Sequence, residues 1–106
     1  MKKLTLNYYT DSGHGWLAVN RADLDALGIA DKISHYSYQR AGRVYLEEDL
    51  DMTTYMAAAD RAGWKVTIRE HFADRSAIRS YDSYRHAPSL IQAALQMGKL
   101  EIVHIK

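Results

Sequence analysis

The stretch RVYLEEDLDMTTYMAAADRAGWKVTIR, residues 43–69, contains a strand, a helix and a second strand in succession. Its middle part carries apolar residues at the spacing of one helix face. These residues are Met52, Tyr55, Met56, Ala59 and Ala62. Gly63 is a natural helix terminator, and Trp64, Val66 and Ile68 alternate with polar residues as in a half-buried strand. The stretch therefore predicts a fold that mixes helices and strands.

Two β-hairpins are predicted upstream of the helix. Their strands are residues 4–10, 16–19, 36–39 and 43–47. Residues 11–15 supply the turn of the first hairpin, and Arg40-Ala41-Gly42 is the turn of the second. Asn20 is expected to cap a short helix, and Asp49 or Asp51 to cap the helix that follows. A hairpin followed by a capped helix thus occurs twice. Either the domain contains two stacked ββα units, or the similarity arises by chance.

The last third of the chain is less regular. Phe72–Ala87 is charged and aromatic without a sustained period, so we predict a long loop there. Pro88 suits the first turn of a helix that Gly98 ends, and residues 100–105 form a final strand. Together these elements predict an α+β fold. We expect a single layered domain over residues 1–106, in the order β-β-α-β-β-α-β-loop-α-β.

The composition is that of a globular protein. The chain has 106 residues, of which 47% are hydrophobic and 25% charged, and its net charge is +1 with neutral histidines. Disorder would need fewer apolar residues or a larger net charge. The absence of cysteine excludes disulfides and cysteine-ligated metals. We see no signal-peptide core and no apolar run of membrane-spanning length, so we expect a cytoplasmic protein without membrane association.

His14 is the first residue to consider for chemistry, because it lies between two glycines in a turn. Histidine transfers protons near neutral pH, but a general base needs a positioned partner, and only Asp11 and Ser12 are close in sequence. The alternative is a hairpin turn shaped by Gly13 and Gly15, and it is favoured. His14 is therefore a weak site candidate, and we assign no catalytic residue.

The acidic run Glu47–Asp51 is the second candidate. Magnesium prefers several converging carboxylate oxygens, yet the spacing of these acids is not that of a calcium-binding loop. Their position just before a helix suits capping of its free N–H groups and complements its dipole. We therefore expect neither a bound metal nor a cofactor.

Of all stretches of the sequence, a basic segment interleaved with aromatic residues most strongly indicates a function. Its members are Arg69, His71, Arg75, Arg79, Tyr81, Tyr84, Arg85 and His86. Such a segment can contact phosphates and stack on bases. It can equally bind an acidic protein surface, since tyrosine and arginine dominate interface hot spots. The third interpretation, which is favoured over the other two, is a solvated loop anchored by Phe72, Ile78 and one tyrosine.

Tyrosines of the second hairpin form another candidate surface. Tyr36 and Tyr38 share one face by the period of two, and either pack against the sheet, which is favoured, or furnish a binding face. The residues that we take as candidates for binding protein or nucleic acid are Arg75, Arg79, Tyr81, Tyr84, Arg85, Tyr36 and Tyr38.

Several motifs resemble those of a known group of proteins. The motifs are DSGHGWLAV (11–19), LGI (27–29), ISHYSYQ (33–39) and VYLEED (44–49). In them the chain resembles a family of small uncharacterised bacterial proteins found on plasmids, prophages and other mobile elements. The resemblance covers roughly the first two-thirds of the chain. It implies a genetic setting and no catalytic residue, and small mobile-element proteins often block a host machine such as a restriction or CRISPR complex.

Three functions of different classes follow. The first is a non-catalytic protein-binding module of a mobile element, an inhibitor of host defence of the anti-CRISPR or anti-restriction type, whose partner is a host or phage protein complex. The second is a nucleic-acid-binding accessory protein that uses Arg75–His86, which the near-neutral charge disfavours. The third is a small enzyme that uses His14 and a carboxylate of residues 47–51. We rank them in this order, and pairing of an exposed edge strand into a homodimer can accompany any of them.

Overall fold

A computed structural model describes residues 2–86 of the chain. The strands are β1 Lys3–Thr10, β2 Gly15–Asn20, β3 Tyr38–Arg40, β4 Arg43–Glu47, β5 Lys65–Phe72 and β6 Asp82–Ser83. The helices are α1 Arg21–Ala26 and α2 Asp51–Arg61, with 3-10 helices at Ala30–Lys32 and Ala77–Ser80. These elements confirm the predicted α+β fold. No helix among these residues is both long and apolar enough to cross a lipid bilayer.

All six strands belong to one mixed sheet, in the order β5-β1-β2-β4-β3-β6. β1 and β2 form one antiparallel hairpin, and β3 and β4 form the other. Because β2 also pairs with β4, the two hairpins lie side by side at the centre of the sheet. β5 runs parallel to β1 at one edge, and β6 adds to β3 at the other. Each hairpin is followed by a helix, so the two predicted ββα units form the framework.

One face of the central strands carries the apolar core. Leu17 pairs with Leu46 and Val19 with Val44, and each of these four side chains is at most 1% exposed. Residues of both helices and of the connection after α1 pack on this face: Leu24, Ile29, Ala30, Ile33, Tyr55, Ala58 and Ala59. Burial of a large aliphatic side chain stabilises a fold by about 1.5–3 kcal/mol. This layer therefore fixes the strands whose opposite face carries the candidate site.

Positive φ angles occur where the sequence predicts them. Gly28 and Gly63 directly follow Leu27 and Ala62, the C-cap residues of α1 and α2, and have φ of 70° and 74°. Ala41 and Gly42 have φ of 50° and 79°, as the two central residues of a type I′ hairpin turn require. The predicted cap by Asn20 is wrong, because its side chain makes no capping hydrogen bond at α1.

The segment after β5 is more regular than the predicted loop over Phe72–Ala87. It contains the 3-10 helix and β6, and Tyr84 is only 2% exposed. The Tyr84 hydroxyl donates to the Ala30 carbonyl at 2.5 Å, and its backbone N–H donates to the Ser37 carbonyl at 2.8 Å. These contacts join distant parts of the chain, so no local period in the sequence could indicate them. The helix predicted from Pro88 and the strand predicted at residues 100–105 lie outside the described residues.

Loss of the Tyr84 hydroxyl should destabilise the fold. Tyr84→Phe leaves the buried Ala30 carbonyl without its donor and should lower the free energy of unfolding by about 1–3 kcal/mol. Tyr84→Ala also opens a cavity, and the loss should rise to about 3–5 kcal/mol. Urea unfolding followed by circular dichroism measures both changes. Tyr36→Phe is the control, because Tyr36 is 67% exposed. An unfolding midpoint unchanged by Tyr84→Ala would contradict the core position of this residue.

Candidate functional site

The face of the sheet opposite the helices is crossed by residues 73–81, termed here the crossing segment. It leads from β5 at one edge of the sheet to β6 at the other. The Ala73 N–H donates to the Thr10 carbonyl at 3.0 Å, and the Tyr81 ring packs against Tyr45 of β4 with 5.1 Å between ring centroids. Ile78, at its middle, is 4% exposed. The crossing segment therefore covers part of this face and leaves a groove beside it.

Asp11 fixes the crossing segment to the β1–β2 turn. Its side chain is 2% exposed. Within the turn, it accepts hydrogen bonds from the N–H groups of Gly13 and His14, both at 3.0 Å. From the crossing segment it accepts the Ser76 N–H at 3.2 Å and the Arg79 Nε and Nη2 at 2.7 and 2.9 Å. One buried carboxylate thus joins two segments that are far apart in sequence.

The same contacts determine the protonation of Asp11. The Arg79 guanidinium holds the pKa of the Asp11 carboxyl far below its usual range. Burial opposes this shift, whereas the N–H groups of Gly13, Ser76 and His14 add to it. Asp11 is therefore ionised at any physiological pH.

The glycines of this turn provide space. Neither Gly13 nor Gly15 has the left-handed backbone that would demand glycine. A Cβ on Gly15 would lie 2.2 Å from the Tyr8 hydroxyl oxygen, and one on Gly13 would lie 3.0 Å from Arg79 Nη2. The turn is a hairpin turn as favoured from the sequence. The Tyr8 ring leaves no room for a side chain at Gly15, whereas a side chain at Gly13 would make a tight contact with Arg79.

Trp16 is the floor of the groove and is 3% exposed. The Arg79 guanidinium lies 5.3 Å from the centre of its ring system. The Tyr38 ring meets Trp16 edge-on at 6.2 Å, and the His14 ring lies 6.0 Å away. The sheet explains this proximity, because Trp16 on β2 and Tyr38 on β3 lie on the same face on either side of β4.

The groove around Trp16 has a volume of about 450 Å³. Its lining residues are His14, Trp16, Tyr36, Tyr38, Glu47, Asp49, Leu50 and Arg79. We term it the aromatic groove. Two apolar side chains stand at its rim, Tyr36 at 67% exposure and Leu50 at 57%. Its volume is in the range of ligand sites in proteins.

Glu47 provides the cap of α2, and the prediction that Asp49 or Asp51 provides it is wrong. The Glu47 carboxylate accepts the N–H groups of Asp49 at 2.9 Å, Leu50 at 2.6 Å and Asp51 at 2.8 Å. Burial by itself raises the pKa of Glu47, but these three donors, together with the nearby His14, outweigh burial and lower it. Glu47 is therefore an ionised structural acceptor at the edge of the aromatic groove.

Asp51 has a different structural role and is fully buried. Its carboxylate accepts the Ser34 N–H at 3.0 Å and the hydroxyls of Ser34 and Ser37 at 2.6 Å each. The Ser37 hydroxyl oxygen in turn accepts the Glu47 N–H at 2.9 Å. This network fixes the loop before β3, which carries Tyr36 and leads into Tyr38, the first residue of β3.

The structure brings together four of the predicted site residues. They are His14, Tyr36, Tyr38 and Arg79. The other four lie elsewhere. Tyr84 is buried in the core, Tyr81 lies between Tyr45 and the Arg40 guanidinium, and Arg75 and Arg85 are exposed outside the aromatic groove.

Sequence reasoning did not find four residues that the site needs. Trp16, the floor of the aromatic groove, is not among the predicted site residues, because a large apolar ring in a strand indicates core packing. Asp11 was considered only as a neighbour of His14, although an aspartate that begins a turn is a common acceptor of turn N–H groups. Glu47 was one acid in a run, and its position before α2 was the available signal. Leu50 gave no signal, because only the fold reveals that it is exposed beside Tyr36.

Comparison with known proteins shows no relationship between this chain and any of them. No protein-family model, no curated protein and no solved structure matches the chain. Among residues 2–86, no group of three or more histidine, aspartate or glutamate residues is arranged to hold a metal ion. The resemblance to the mobile-element family stays a prediction, and the site is interpreted from its own geometry.

Asp11→Asn should lower the melting temperature by several degrees at neutral pH and change how stability depends on acid. A carboxylate with a depressed folded pKa stabilises fully above its unfolded pKa of about 4 and loses this contribution as the pH falls toward the folded value. The difference in Tm between wild type and variant should therefore stay constant between about pH 5 and 8 and narrow below about pH 4.

Calorimetric scans across this pH range measure the difference in Tm between wild type and Asp11→Asn. The lowered pKa of Glu47 affects both proteins equally and cancels. Asp60→Asn, which removes an exposed aspartate of α2, controls for the loss of one negative charge. A difference between wild type and Asp11→Asn that is the same at pH 2 as at pH 7 would contradict the ion pair.

Proposed function

We propose that this protein is a non-catalytic module that binds a segment of another protein in the aromatic groove. The observation that carries the proposal is the composition of the groove around Trp16, where tyrosine and arginine side chains converge. Tryptophan, tyrosine and arginine are the residue types enriched at interface hot spots. The exposed ring of Tyr36 and the exposed side chain of Leu50 offer apolar contact area at the rim.

The aromatic groove is ordered by contacts within the chain itself. Arg79 is held by Asp11, Tyr38 belongs to β3, and the loop before β3 is held by Asp51. Groups that are already fixed lose little conformational entropy when a partner binds. The groove therefore supports recognition of a partner without rearrangement.

The charges of the aromatic groove indicate the chemistry of the partner. Glu47 and Asp49 line it, whereas the charge of Arg79 is offset by the Asp11 carboxylate. Carboxylates beside aromatic faces attract lysine and arginine side chains. We therefore expect a partner segment with a basic residue next to an aromatic or aliphatic one.

Catalysis fits the groove less well. His14 lines the same cavity as two carboxylates, as the enzyme hypothesis requires. However, Glu47 is occupied by three backbone N–H groups that lower its pKa, which leaves Asp49 as the carboxylate in the groove for His14. General acid–base catalysis needs groups within hydrogen-bond reach, and the side chains of His14 and Asp49 make no such bond in the described part of the chain.

The setting of this binding function rests on the sequence resemblance. We propose that the module belongs to a mobile element and inhibits host defence, in the manner of anti-CRISPR or anti-restriction proteins. Inhibition of this kind requires that the module cover a surface of its target, and it requires no catalytic step. On this proposal the partner is a host or phage protein complex in the cytoplasm.

Removal of the rim side chains should weaken the binding of peptides to the aromatic groove. The probe is a library of random peptides displayed on phage and selected against the wild-type chain. Selected peptides should carry a basic residue beside an aromatic or aliphatic one. The double variant Tyr36→Ala/Leu50→Ala should weaken their binding by on the order of tenfold or more, because truncated hot-spot side chains typically have this effect.

Phe72→Ala is the matched control, because Phe72 is 66% exposed and lies on β5 away from the aromatic groove. Isothermal titration of synthetic copies of the selected peptides measures all affinities. Equal affinity for wild type and the double variant would contradict the proposal, and so would an equal loss in Phe72→Ala.

A further inference from the structure

Three arginines line one cleft at the turn of the second hairpin, at the end of β4 opposite to the aromatic groove. Arg40 and Arg43 face each other across the ladder of β3 and β4. Arg21, the first residue of α1, reaches the same place from the end of β2. With Gln39 and Asp82 they line a cleft of about 250 Å³. We term it the arginine cleft.

The charge of the arginine cleft is not compensated. Like charges directly opposite each other on neighbouring strands destabilise a sheet, and Arg40 and Arg43 have this arrangement. Among residues 2–86, no ion pair within 4.0 Å includes any of the three arginines. Only Asp82 contributes a negative charge to the lining. Arg40 and Arg43 lie on the face of the sheet away from the helices. Gln39 and its strand partner Asp82 lie on the other face, together with the Arg21 guanidinium. The two positive charges of Arg40 and Arg43 are therefore unfavourable for the fold and favourable for an anion.

Two of the guanidinium groups are held in place. Arg21 donates a hydrogen bond to the Gln39 side-chain oxygen and lies 5.0 Å over the Tyr84 ring. Arg40 lies 4.8 Å over the Tyr81 ring. A guanidinium carries five N–H donors, so these contacts orient it and leave donors for a ligand. Ordered forks of this kind match the oxygens of phosphate.

We propose that the arginine cleft binds a phosphate group. The group can belong to a small phosphorylated molecule or to a nucleic acid backbone, because both present the same oxygens. This site differs from the segment Arg75–His86 that the sequence favoured for nucleic acid, since Asp82 is the one residue of that segment in its lining. It is also independent of the aromatic groove.

Two probes test the site, pyrophosphate and a fluorescently labelled single-stranded oligothymidylate, both at low salt. Arg40→Ala/Arg43→Ala should weaken binding of each probe by roughly tenfold or more, because hydrogen bonds between a guanidinium and a phosphate are among the strong, charge-assisted ones. Arg61→Ala/Lys65→Ala is the matched control, because it removes two exposed basic side chains of α2 and β5 and the same total charge. The control should change binding by less than about threefold.

The two probes distinguish the source of the phosphate. Oligothymidylate affinity far above that of pyrophosphate, with a shallower salt dependence in the arginine variant, supports a nucleic acid backbone. Similar affinities support a small phosphorylated ligand. Arg40→Gln/Arg43→Gln, which retains long polar side chains, repeats the test if the alanine variant unfolds. Absence of binding by both probes at millimolar concentration overturns the proposal, and so does an equal loss in the control.

Discussion

The contact between the Asp11 carboxylate and Arg79 is the interaction on which the candidate site depends. It holds the crossing segment against the sheet, and it positions Arg79 and His14 around Trp16. The Asp11 side chain is 2% exposed, and a carboxylate shielded from water in this way is left uncompensated when a partner is removed. We therefore expect the β1–β2 turn and the crossing segment to form one cooperative unit on which the aromatic groove depends.

Strand β4 organises two surfaces of opposite chemistry. At its end near α2, Glu47 and the tyrosines before and within β3 border the aromatic groove. At its beginning, Arg43 borders the arginine cleft. The acids next to α2 serve mainly to hold backbone groups, whereas the arginines at the other end have no acidic partner within 4.0 Å among the described residues. This asymmetry underlies our two proposals, a protein-binding surface at one end of β4 and an anion-binding one at the other.

The parts of the fold that local sequence determines could be predicted. The helix over residues 51–61 and the hairpin turn at Arg40–Gly42 follow from spacing and from turn chemistry. The crossing segment could not be predicted, because its contacts span long distances in sequence. Tyr84 bonds a carbonyl 54 residues away, and Arg79 bonds a carboxylate 68 residues away. For the same reason, the sequence indicates His14, Tyr36 and Arg79 only as separate candidates. The folded sheet brings them together in one site.

Amide hydrogen exchange in the wild type and in Asp11→Ala tests the central role of this carboxylate most directly. The N–H groups of Ala73 and Tyr81 bond the Thr10 and Ile78 carbonyls and do not contact Asp11. We expect both to lose protection in the variant, because the whole crossing segment opens, while the paired amides of β2 and β4 keep theirs. Undiminished protection of Ala73 and Tyr81 in Asp11→Ala would contradict the account.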